Sequence, residues 1–331
     1  MGKRKRFIMM ILVLLIILTG CGKGQKLRFG TGNEGGMYST YAKKLQTLTE
    51  GELSFELKQT AGANANIRLL QKGFLDVALV QGDVLNSVRE GVKEDGKTTE
   101  LSFSAVCGLY TEAVHLVVSG SSGIREIEDL IGKRVSIGET SSGVYQTALD
   151  ILGICGISTW DMEVQHLSLN DAAEAMKEGK IDAFFFTAGA PVERIGQLAE
   201  ETDIRFLSLN DEDIRRMKNL YKNYVICTIP AGTYSGQTQS FTTLGVRAVL
   251  VVSNNLERAL VKKLTEAVFR HADEMNSMLA GEQPFTPELA VEGVAIPFHA
   301  GAAEYLKEKG VTVQVEENTL AGSMKHAGQD D

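Results

Sequence analysis

The chain has 331 residues, 44% of them hydrophobic, which is enough apolar sequence to bury a sizeable core in one to three domains. The formal net charge is −8, and removal of the first 20 residues, which hold four basic and no acidic side chains, takes it to −12. This balance argues against a nucleic-acid partner and against membrane binding through a basic patch.

The N-terminal residues have the features of a signal peptide. A basic segment, Lys3–Arg6, precedes twelve apolar residues, Phe7–Leu18, a run shorter than the roughly 20 residues that span a bilayer. The following Leu18-Thr19-Gly20-Cys21 resembles a lipobox, where lipoprotein signal peptidase cuts before an acylated cysteine. The resemblance implies a signal peptide over residues 1–20 and a palmitate anchor on Cys21 at the outer face of the cell membrane. The alternative is an ordinary anchor or cleaved signal with a chance cysteine.

Strand and helix patterns alternate after a tether of residues 21–26, which predicts an α/β fold. A glycine-rich turn, Gly30–Gly36, joins the first strand to the first helix, and a second small-residue turn opens the next helix at Thr60–Asn64. The predicted elements of this first unit are strand Leu27–Phe29, helix Met37–Glu50, strand Leu53–Gln59, helix Asn64–Lys72, strand Val77–Gln81 and helix Gly82–Arg89, followed by a polar loop over Gly91–Thr99.

A second unit repeats the alternation, with Asn170 or Asp171 predicted to cap one of its helices. Its predicted elements are helix Gly123–Ile131, strand Val135–Ile137, helix Val144–Leu152, strand Glu163–Leu167, helix Ala172–Glu178, strand Asp182–Phe186, helix Val192–Glu200, strand Ile204–Leu209 and helix Asp211–Leu220. A long loop over residues 229–243, a helix from Asn255 to Met278, a helix over Ala302–Lys309 and a polar, frayed last dozen residues complete the chain.

Two apolar segments flank the second unit and predict paired strands that cross between lobes. Strands over Leu101–Tyr110 and Ala113–Ser119 precede the unit, and a strand over Val246–Ser253 follows it. Both flanking segments end in Leu-Val-Val-Ser, at Leu116–Ser119 and Leu250–Ser253. Crossing strands of this kind act as hinges in two-lobed receptors.

The two units echo one another in sequence. Gly36-Met37-Tyr38 matches Gly143-Val144-Tyr145 at the glycine and the tyrosine. Tyr38 lies 38 residues before Asp76, and Tyr145 lies 37 residues before Asp182. Two βαβ units with open helix N-termini at their strand ends predict two lobes that face a shared cleft. The alternative is that βαβ units resemble each other in any α/β protein.

Several familiar motifs fail on inspection. Gly30-x-Gly32-x-x-Gly35 has the form of a dinucleotide fingerprint, but the second strand ends without the acidic residue that holds a ribose. Ser141-Ser142-Gly143 could form a nucleophile turn, but nothing in the sequence supplies its base. The histidines show no ligand spacing, and we interpret Cys107, Cys155 and Cys227 as small buried apolar residues. We therefore expect no enzyme activity, metal or cofactor.

Taken together, the turns resemble the solute-binding receptors of the TAXI family of TRAP transporters, over almost the whole mature chain. The resemblance is carried by Gly35–Tyr38, Asn66–Leu70, Asp76–Gln81, Ser142-Gly143 with Thr147-Ala148, Asp182–Phe186 with Gly189–Pro191, and, most distinctively, Ile229–Tyr234. It implies a type II-like periplasmic-binding-protein fold, in which two βαβ lobes are joined by crossing hinge strands. It also implies capture of a small organic anion, such as a glutamate-like, dicarboxylate or 2-oxo acid solute, for delivery to a membrane permease.

The sequence departs from the family pattern at three positions. Val144 stands where the family usually has a hydroxyl side chain, so one ligand hydrogen bond is expected to be missing. Arg247 and Ala300 each replace a usual proline. We interpret Arg247 as an exposed strand residue, although a positive charge near the cleft is the alternative.

These observations predict lobe 1 over residues 27–112 and 247–331 and lobe 2 over residues 113–246, in a chain expected to be monomeric. The predicted ligand-binding residues are Thr31, Gly32, Gly36, Tyr38, Asn66, Gln81, Ser141, Ser142, Gly143, Thr147, Thr187 and Gly189. Two other functions remain open. One is a secreted α/β enzyme that uses Ser142 or a carboxylate, and the other is a sensor that signals to a membrane kinase.

Overall fold

The computed structural model describes residues 26–90, 101–221, 223–280 and 284–319. The predicted signal peptide, the lipidation site Cys21, most of the tether, the polar loop at 91–99 and the last dozen residues lie outside these ranges. Within them, the strands form one mixed sheet in the order β2-β1-β3-β10-β4-β7-β5-β6, with β8 beside β4 and β9 beside β10.

The strands and helices alternate as the sequence predicts. The strands are β1 (Lys26–Gly30), β2 (Ser54–Lys58), β3 (Val77–Gln81), β4 (Phe103–Ser119), β5 (Arg134–Ser136), β6 (Glu163–Gln165), β7 (Ala183–Ala188), β8 (Ile204–Phe206), β9 (Val225–Ile229) and β10 (Phe241–Ser253). The helices are α1 (Met37–Leu48), α2 (Ala63–Gln71), α3 (Gly82–Glu90), α4 (Gly143–Ile154), α5 (Leu169–Lys177), α6 (Glu193–Glu201), α7 (Asp211–Leu220), α8 (Arg258–Arg270), α9 (Ala272–Asn276) and α10 (Ala300–Glu308).

Two lobes divide the sheet. Lobe 1 holds β1–β3 with α1–α3 and α8–α10, and lobe 2 holds β5–β7 with α4–α7. The strand of each lobe that pairs with β10 or β4 is buried along its whole length: β3 reads Val-Ala-Leu-Val-Gln and β7 reads Ala-Phe-Phe-Phe-Thr-Ala. Continuous apolar runs of this kind are expected when helices cover both faces of a parallel sheet. Within the described ranges, no helix is both long and apolar enough to cross a bilayer.

Strands β4 and β10 connect the lobes. With 17 residues, β4 is about 55 Å long, so it passes through both halves of the sheet. The two strands are antiparallel from Val252 opposite Ser104 to Gly245 opposite Ala113. Beyond that point β4 pairs with β7, whereas β10 pairs with β3 at one end and with β9 at the other. The predicted crossing strands are thus present.

The structure corrects several predicted elements. The two strands predicted over 101–119 are one strand, because Glu112 continues the β4 ladder opposite Val246. The helix predicted from Asn255 to Met278 is two helices, because His271 leaves helical geometry at φ −103° and ψ 18°. Strand β9 lies in a segment for which the sequence analysis proposed no strand.

Four local predictions in or near lobe 2 also need correction. The helix predicted over Gly123–Ile131 is a single short turn at Ile127–Leu130. Helix α5 begins earlier than expected because Ser168, not Asn170 or Asp171, is its N-cap, with its hydroxyl accepting a hydrogen bond from Asp171 N at 3.2 Å. Cys155 and Cys227 are only partly buried, unlike Cys107. Arg247 is also partly buried, and its Nη2 donates to Leu289 O at 2.7 Å.

Candidate functional site

A cavity lies between the lobes, at the carboxyl ends of β1, β3 and β7, where open α/β sheets bind ligands. It encloses about 380 Å³ of empty space, open solvent at its mouth included. Lobe 1 lines it with Gly32, Asn33, Gly36, Met37, Tyr38, Ala61, Gly62, Ala63 and Gln81; lobe 2 lines it with Ser142, Gly143, Val144, Phe186, Thr187 and Ala188; and β4 contributes Glu112.

The N-termini of α1, α2 and α4 meet at this cavity. Their N-cap residues, Gly36, Gly62 and Ser142, all line it. The first N–H groups of a helix have no partner within the helix, and the helix dipole places partial positive charge there. No side chain of the described residues caps α1 or α2. These two helix ends therefore present N–H donors suited to an anionic group.

Thr60 holds the two glycine turns of lobe 1 together. Its hydroxyl oxygen accepts hydrogen bonds from Gly32 N at 3.1 Å and Gly62 N at 3.2 Å, and the hydroxyl donates to Asn66 Oδ1 at 2.7 Å. Asn66 donates from Nδ2 to Leu79 O at 2.8 Å, which ties the turns to β3. Gly62 has φ 101°, a left-handed conformation that side chains rarely adopt. Side-chain hydrogen bonds and glycine together fix the part of the cavity at which the N–H groups of α1 and α2 lie.

A buried carboxyl group faces the same cavity. Glu112 is 1% exposed, and its Oε2 accepts a 2.9 Å hydrogen bond from the Tyr38 hydroxyl. Burial raises the pKa of Glu112 well above its ordinary value, and the nearby Asp83 carboxyl raises it further. The sequence analysis did not select Glu112. The sequence feature that could have indicated Glu112 is its position as an acidic residue between two long apolar segments.

Two other buried side chains of the cavity have polar atoms with no hydrogen-bond partner among the described residues. These atoms are Gln81 Nε2 and Thr187 Oγ1, in residues that are 3% and 5% exposed. A buried polar atom without a partner costs about 1–3 kcal/mol. A solute that forms hydrogen bonds with both atoms would recover this cost, so the pair is suited to ligand binding.

The lobes are in direct contact around the cavity. Ala65 N donates to Ser141 O at 3.0 Å, and Asn64 Nδ2 donates to Ser142 O at 2.9 Å. A Cβ atom added to Gly143 would overlap the Gln81 side-chain amide across the interface. This contact requires glycine at position 143, and the structure therefore represents a closed state.

A buried polar cluster adds to this contact. Asp83, in α3 of lobe 1, accepts a 3.0 Å hydrogen bond from the Thr147 hydroxyl in α4 of lobe 2. The Tyr224 hydroxyl lies 3.1 Å from Asp83 Oδ2 and 2.9 Å from Asp150 Oδ2. Burial raises the pKa of Asp83 to about 6, because two hydroxyls and one backbone N–H only partly replace water around the carboxylate.

The structure brings seven of the twelve predicted ligand-binding residues to the cavity wall: Gly32, Gly36, Tyr38, Gln81, Ser142, Gly143 and Thr187. Their contact with a ligand stays a prediction. Phe186, at the end of the predicted strand Asp182–Phe186, also lines it. Sequence reasoning did not select Asn33, Met37, Ala61, Gly62, Ala63, Glu112 or Ala188, although most of them belong to the turns that it singled out.

The other five predicted residues, Thr31, Asn66, Ser141, Thr147 and Gly189, are not among those that line the cavity. Thr31 is hydrogen-bonded to β2 through Lys58 O. Ser141 and Thr147 take part in contacts between the lobes, and Asn66 supports the turns, as described above. Gly189 packs against the Tyr110 ring, where an added Cβ would lie only 2.9 Å from ring carbons. These residues shape or close the site from behind its wall.

The surroundings of Ser142 are those of a helix cap. Its hydroxyl donates to Glu139 O at 2.7 Å and its Oγ accepts from Tyr145 N at 3.1 Å. A nucleophilic serine needs a base within hydrogen-bond reach, whereas both hydrogen bonds of this hydroxyl within the described residues are with backbone atoms. In the part of the chain that the structure describes, no cluster of three or more His, Cys, Asp or Glu side chains is placed to hold a metal ion.

Residues 29–310 match the model of the NMT1-like family. The chain belongs to this family. The match covers both lobes and every residue that lines the cavity. Assignment to the solute-binding receptors of the TAXI family remains a proposal.

Solved structures share the architecture at low identity. A Bordetella bronchiseptica RB50 protein is 15% identical, over 92% of this chain and 99% of that one, with a TM-score of 0.53. The alkanesulfonate-binding protein SsuA from Xanthomonas axonopodis pv. citri, bound to MOPS, is 17% identical over 89% and 88%, with a TM-score of 0.46. The GluR0 ligand-binding core in complex with L-glutamate is 14% identical over 78% and 100%, with a TM-score of 0.47. The predicted α/β fold, in which two βαβ lobes are joined by crossing strands, is confirmed by the strand order and by the register of β4 with β10.

Proposed function

We propose that the protein is an extracytoplasmic solute-binding receptor of a TRAP transporter of the TAXI kind. It captures a small organic anion between its lobes and delivers it to the membrane permease. The observation that carries the proposal is the cavity at which three helix N-termini and the unpartnered atoms of Gln81 and Thr187 converge. This arrangement suits reversible binding, because it supplies hydrogen-bond donors to a bound solute.

Closure of the lobes is the transport-related step in this proposal. We place the lobe boundaries between residues 112 and 113 and between residues 246 and 247. The register of β4 and β10 supports this, because Gly245 opposite Ala113 is the last pair that the two strands share before each continues with other partners. A register shift between Arg247 and Val249 adds an irregularity to the pairing of β4 and β10 next to this boundary. Bending there would separate the hydrogen-bonded lobes and open the cavity.

The position at the membrane follows from the sequence. The lipobox-like segment before Cys21 supports a lipid anchor, and only a few residues separate Cys21 from the start of β1 at Lys26. A receptor held in this way keeps its cleft within reach of the permease while it opens and closes. The net charge of −12 without the signal peptide supports a small-solute receptor and not a nucleic-acid-binding protein.

Calorimetry with a panel of dicarboxylates, 2-oxo acids and amino acids tests the proposal. We expect a Kd in the micromolar range or tighter for at least one solute, and a loss of about 10-fold in affinity for Gln81→Ala, because the solute loses a buried hydrogen bond. The control is Gln197→Ala, at an exposed position of α6, which should bind as the wild type does.

Two outcomes would contradict the receptor function. Failure of every panel solute to bind would remove its basis, and unchanged affinity in Gln81→Ala would place the ligand elsewhere. Mass spectrometry of the solute after incubation separates binding from catalysis. We expect it to be recovered unaltered, whereas turnover would support the secreted enzyme.

A further inference from the structure

Glu112 is the one acidic side chain among the residues that line the cavity. It lies on β4 opposite Val246 of β10, near the point at which the paired strands diverge. The only hydrogen bond that the described residues make to its carboxyl group comes from the Tyr38 hydroxyl, at 2.9 Å from Oε2. A buried acid at the cavity wall therefore has one protein donor.

The cavity offers this acid no counter-charge. In the part of the chain that the structure describes, no lysine, arginine or histidine lines the cavity. The charged group that affects Glu112 is the carboxyl of Asp83, whose negative charge raises the Glu112 pKa. Buried carboxylates in proteins are ordinarily paired with a cation or with several donors, because an unpaired buried charge is costly. A positively charged group on an occupant of the cavity would supply such a partner.

The donor-rich part of the cavity lies apart from Glu112. Tyr38 shows this, because its N–H belongs to the first turn of α1, whereas its hydroxyl, at the other end of the side chain, reaches the carboxyl group. The cavity thus favours a negative group at the helix N-termini and a positive group at Glu112. A solute with both charges matches the two ends, and a solute with two carboxylates matches only one.

We propose that Glu112 binds an ammonium group of the solute, which is therefore an amino acid and not a dicarboxylate or a 2-oxo acid. Its carboxylate lies at the N-termini of α1 and α2, and its ammonium group donates hydrogen bonds to Glu112. The inference rests on the proposed receptor function and narrows its ligand class. An ammonium partner also restores the charged form of the carboxyl group, which burial alone disfavours.

Matched pairs of solutes that differ only at the amino group test the inference. Two such pairs are L-glutamate with 2-oxoglutarate and L-leucine with 4-methyl-2-oxopentanoate. In each pair, the 2-oxo acid has a carbonyl oxygen where the amino acid has its ammonium group. The remaining amino acids extend the set. We expect the wild type to bind an amino acid at least roughly 10-fold more tightly than its 2-oxo acid, as loss of a charge-assisted hydrogen bond predicts. Glu112→Gln keeps the shape of the side chain and an acceptor for Tyr38, and it should reduce that preference by a similar factor.

The control is Glu200→Gln, an exposed acid at the end of α6, which should keep the wild-type preference. Tighter binding of a 2-oxo acid or dicarboxylate by the wild type overturns the inference while the receptor function stands. An unchanged preference in Glu112→Gln also overturns it. If no solute binds the wild type, the receptor function itself fails. Should Glu112→Gln not fold, the wild-type comparison of each matched pair still decides the ligand class.

Discussion

The two lobes share one scaffold and differ at the helix ends that face the cavity. In lobe 1, Arg28 Nη2 lies 2.6 Å from Asp76 Oδ1, and in lobe 2, Arg134 Nη2 lies 2.6 Å from Asp182 Oδ1. Each arginine also donates from Nε and from its backbone N–H to the second carboxylate oxygen. Each pair is 48 residues apart and joins equivalent strands at the end away from the cavity. The scaffold is therefore repeated in detail.

The helix caps are not repeated. In lobe 1, α1 and α2 begin after Gly36 and Gly62, and no described side chain caps either helix. In lobe 2, α4 and α5 begin after Ser142 and Ser168, and each serine hydroxyl accepts a hydrogen bond from the first turn. A serine N-cap satisfies one of the N–H groups that a glycine N-cap leaves available. The helix N-termini of lobe 1 thus lack a side-chain cap, whereas the equivalent N-termini of lobe 2 each have one.

This difference indicates a division of roles. In the proposed receptor, lobe 1 would present N–H groups to an anionic group of the solute, and lobe 2 would supply a wall with the Phe186 ring and the Thr187 hydroxyl. We therefore expect the solute to dock on lobe 1 first, before lobe 2 closes over it. The contacts between the lobes, through Asp83 and Gly143, then determine how stable the closed state is.

The largest effect is expected at Asp83, the acid of lobe 1 that lobe 2 covers. Its pKa rises from an ordinary 3.8 to about 6 in the folded protein, so its charged form is disfavoured there. The unfolding free energy should therefore fall as pH rises from about 4 to about 6, by at most roughly 3 kcal/mol. Asp83→Asn cannot ionise and should lack this decrease. Denaturant unfolding of both proteins at each pH gives the difference.

Other titratable groups are common to both proteins in this comparison, including Asp150, Tyr224 and Glu112, which lie near Asp83. Below pH 4 the wild type and Asp83→Asn should be closest in stability. If the difference in unfolding free energy between the wild type and Asp83→Asn stays constant from pH 4 to pH 7, lobe 2 does not desolvate the Asp83 carboxyl group.

The next effect is expected at Gly143, where the lobes meet most closely. In Gly143→Ala the new Cβ would overlap the Gln81 amide and lie 3.2 Å from Ala63 Cβ, so Gln81 must move or the lobes must stay apart. Overpacking of this kind costs about 1–3 kcal/mol, which corresponds to an affinity loss of roughly 10- to 100-fold. Calorimetry measures the loss, and small-angle scattering shows whether the saturated protein remains more open than the wild type.

Gly153 supplies the matched control, because it belongs to the same helix and an added Cβ there meets no atom within 4 Å. Gly153→Ala should keep the wild-type affinity, and alanine should stabilise α4 slightly. Wild-type affinity in Gly143→Ala would mean that ligand binding does not need the closed contact between position 143 and Gln81.

The fold could be predicted from the sequence because each signal was local and repeated. Periodicity located the main strands and helices, and the echo of Gly36-Met37-Tyr38 in Gly143-Val144-Tyr145 indicated two similar units. Periodicity could not show that Thr111 and Glu112 continue one long strand, because polar residues in an apolar run also resemble a turn. The long register with β10 overrides that local signal.

The candidate site could be predicted only in part, because sequence motifs show which turns meet but not which side chains point inward. Asn66 and Thr147 belong to the right turns, yet their polar atoms hold the backbone of β3 and the lobe contact. Glu112 is distant from every glycine-rich turn and reaches the cavity only because β4 crosses between the lobes. Its role depends on topology, which a single motif does not encode.

The smallest effects are expected at the two serine caps, and they test the comparison of the lobes directly. Ser142→Ala and Ser168→Ala should each lower the unfolding free energy by about 1 kcal/mol, because each removes a side-chain hydrogen bond to a helix N-terminus. Only Ser142 lines the cavity, but its hydroxyl is already bonded to Glu139 O and Tyr145 N. We therefore expect the solute affinity to change by less than about threefold in either variant. A much larger loss in Ser142→Ala alone would mean that this hydroxyl contacts the solute, and lobe 2 would then present its helix end to the ligand as lobe 1 does.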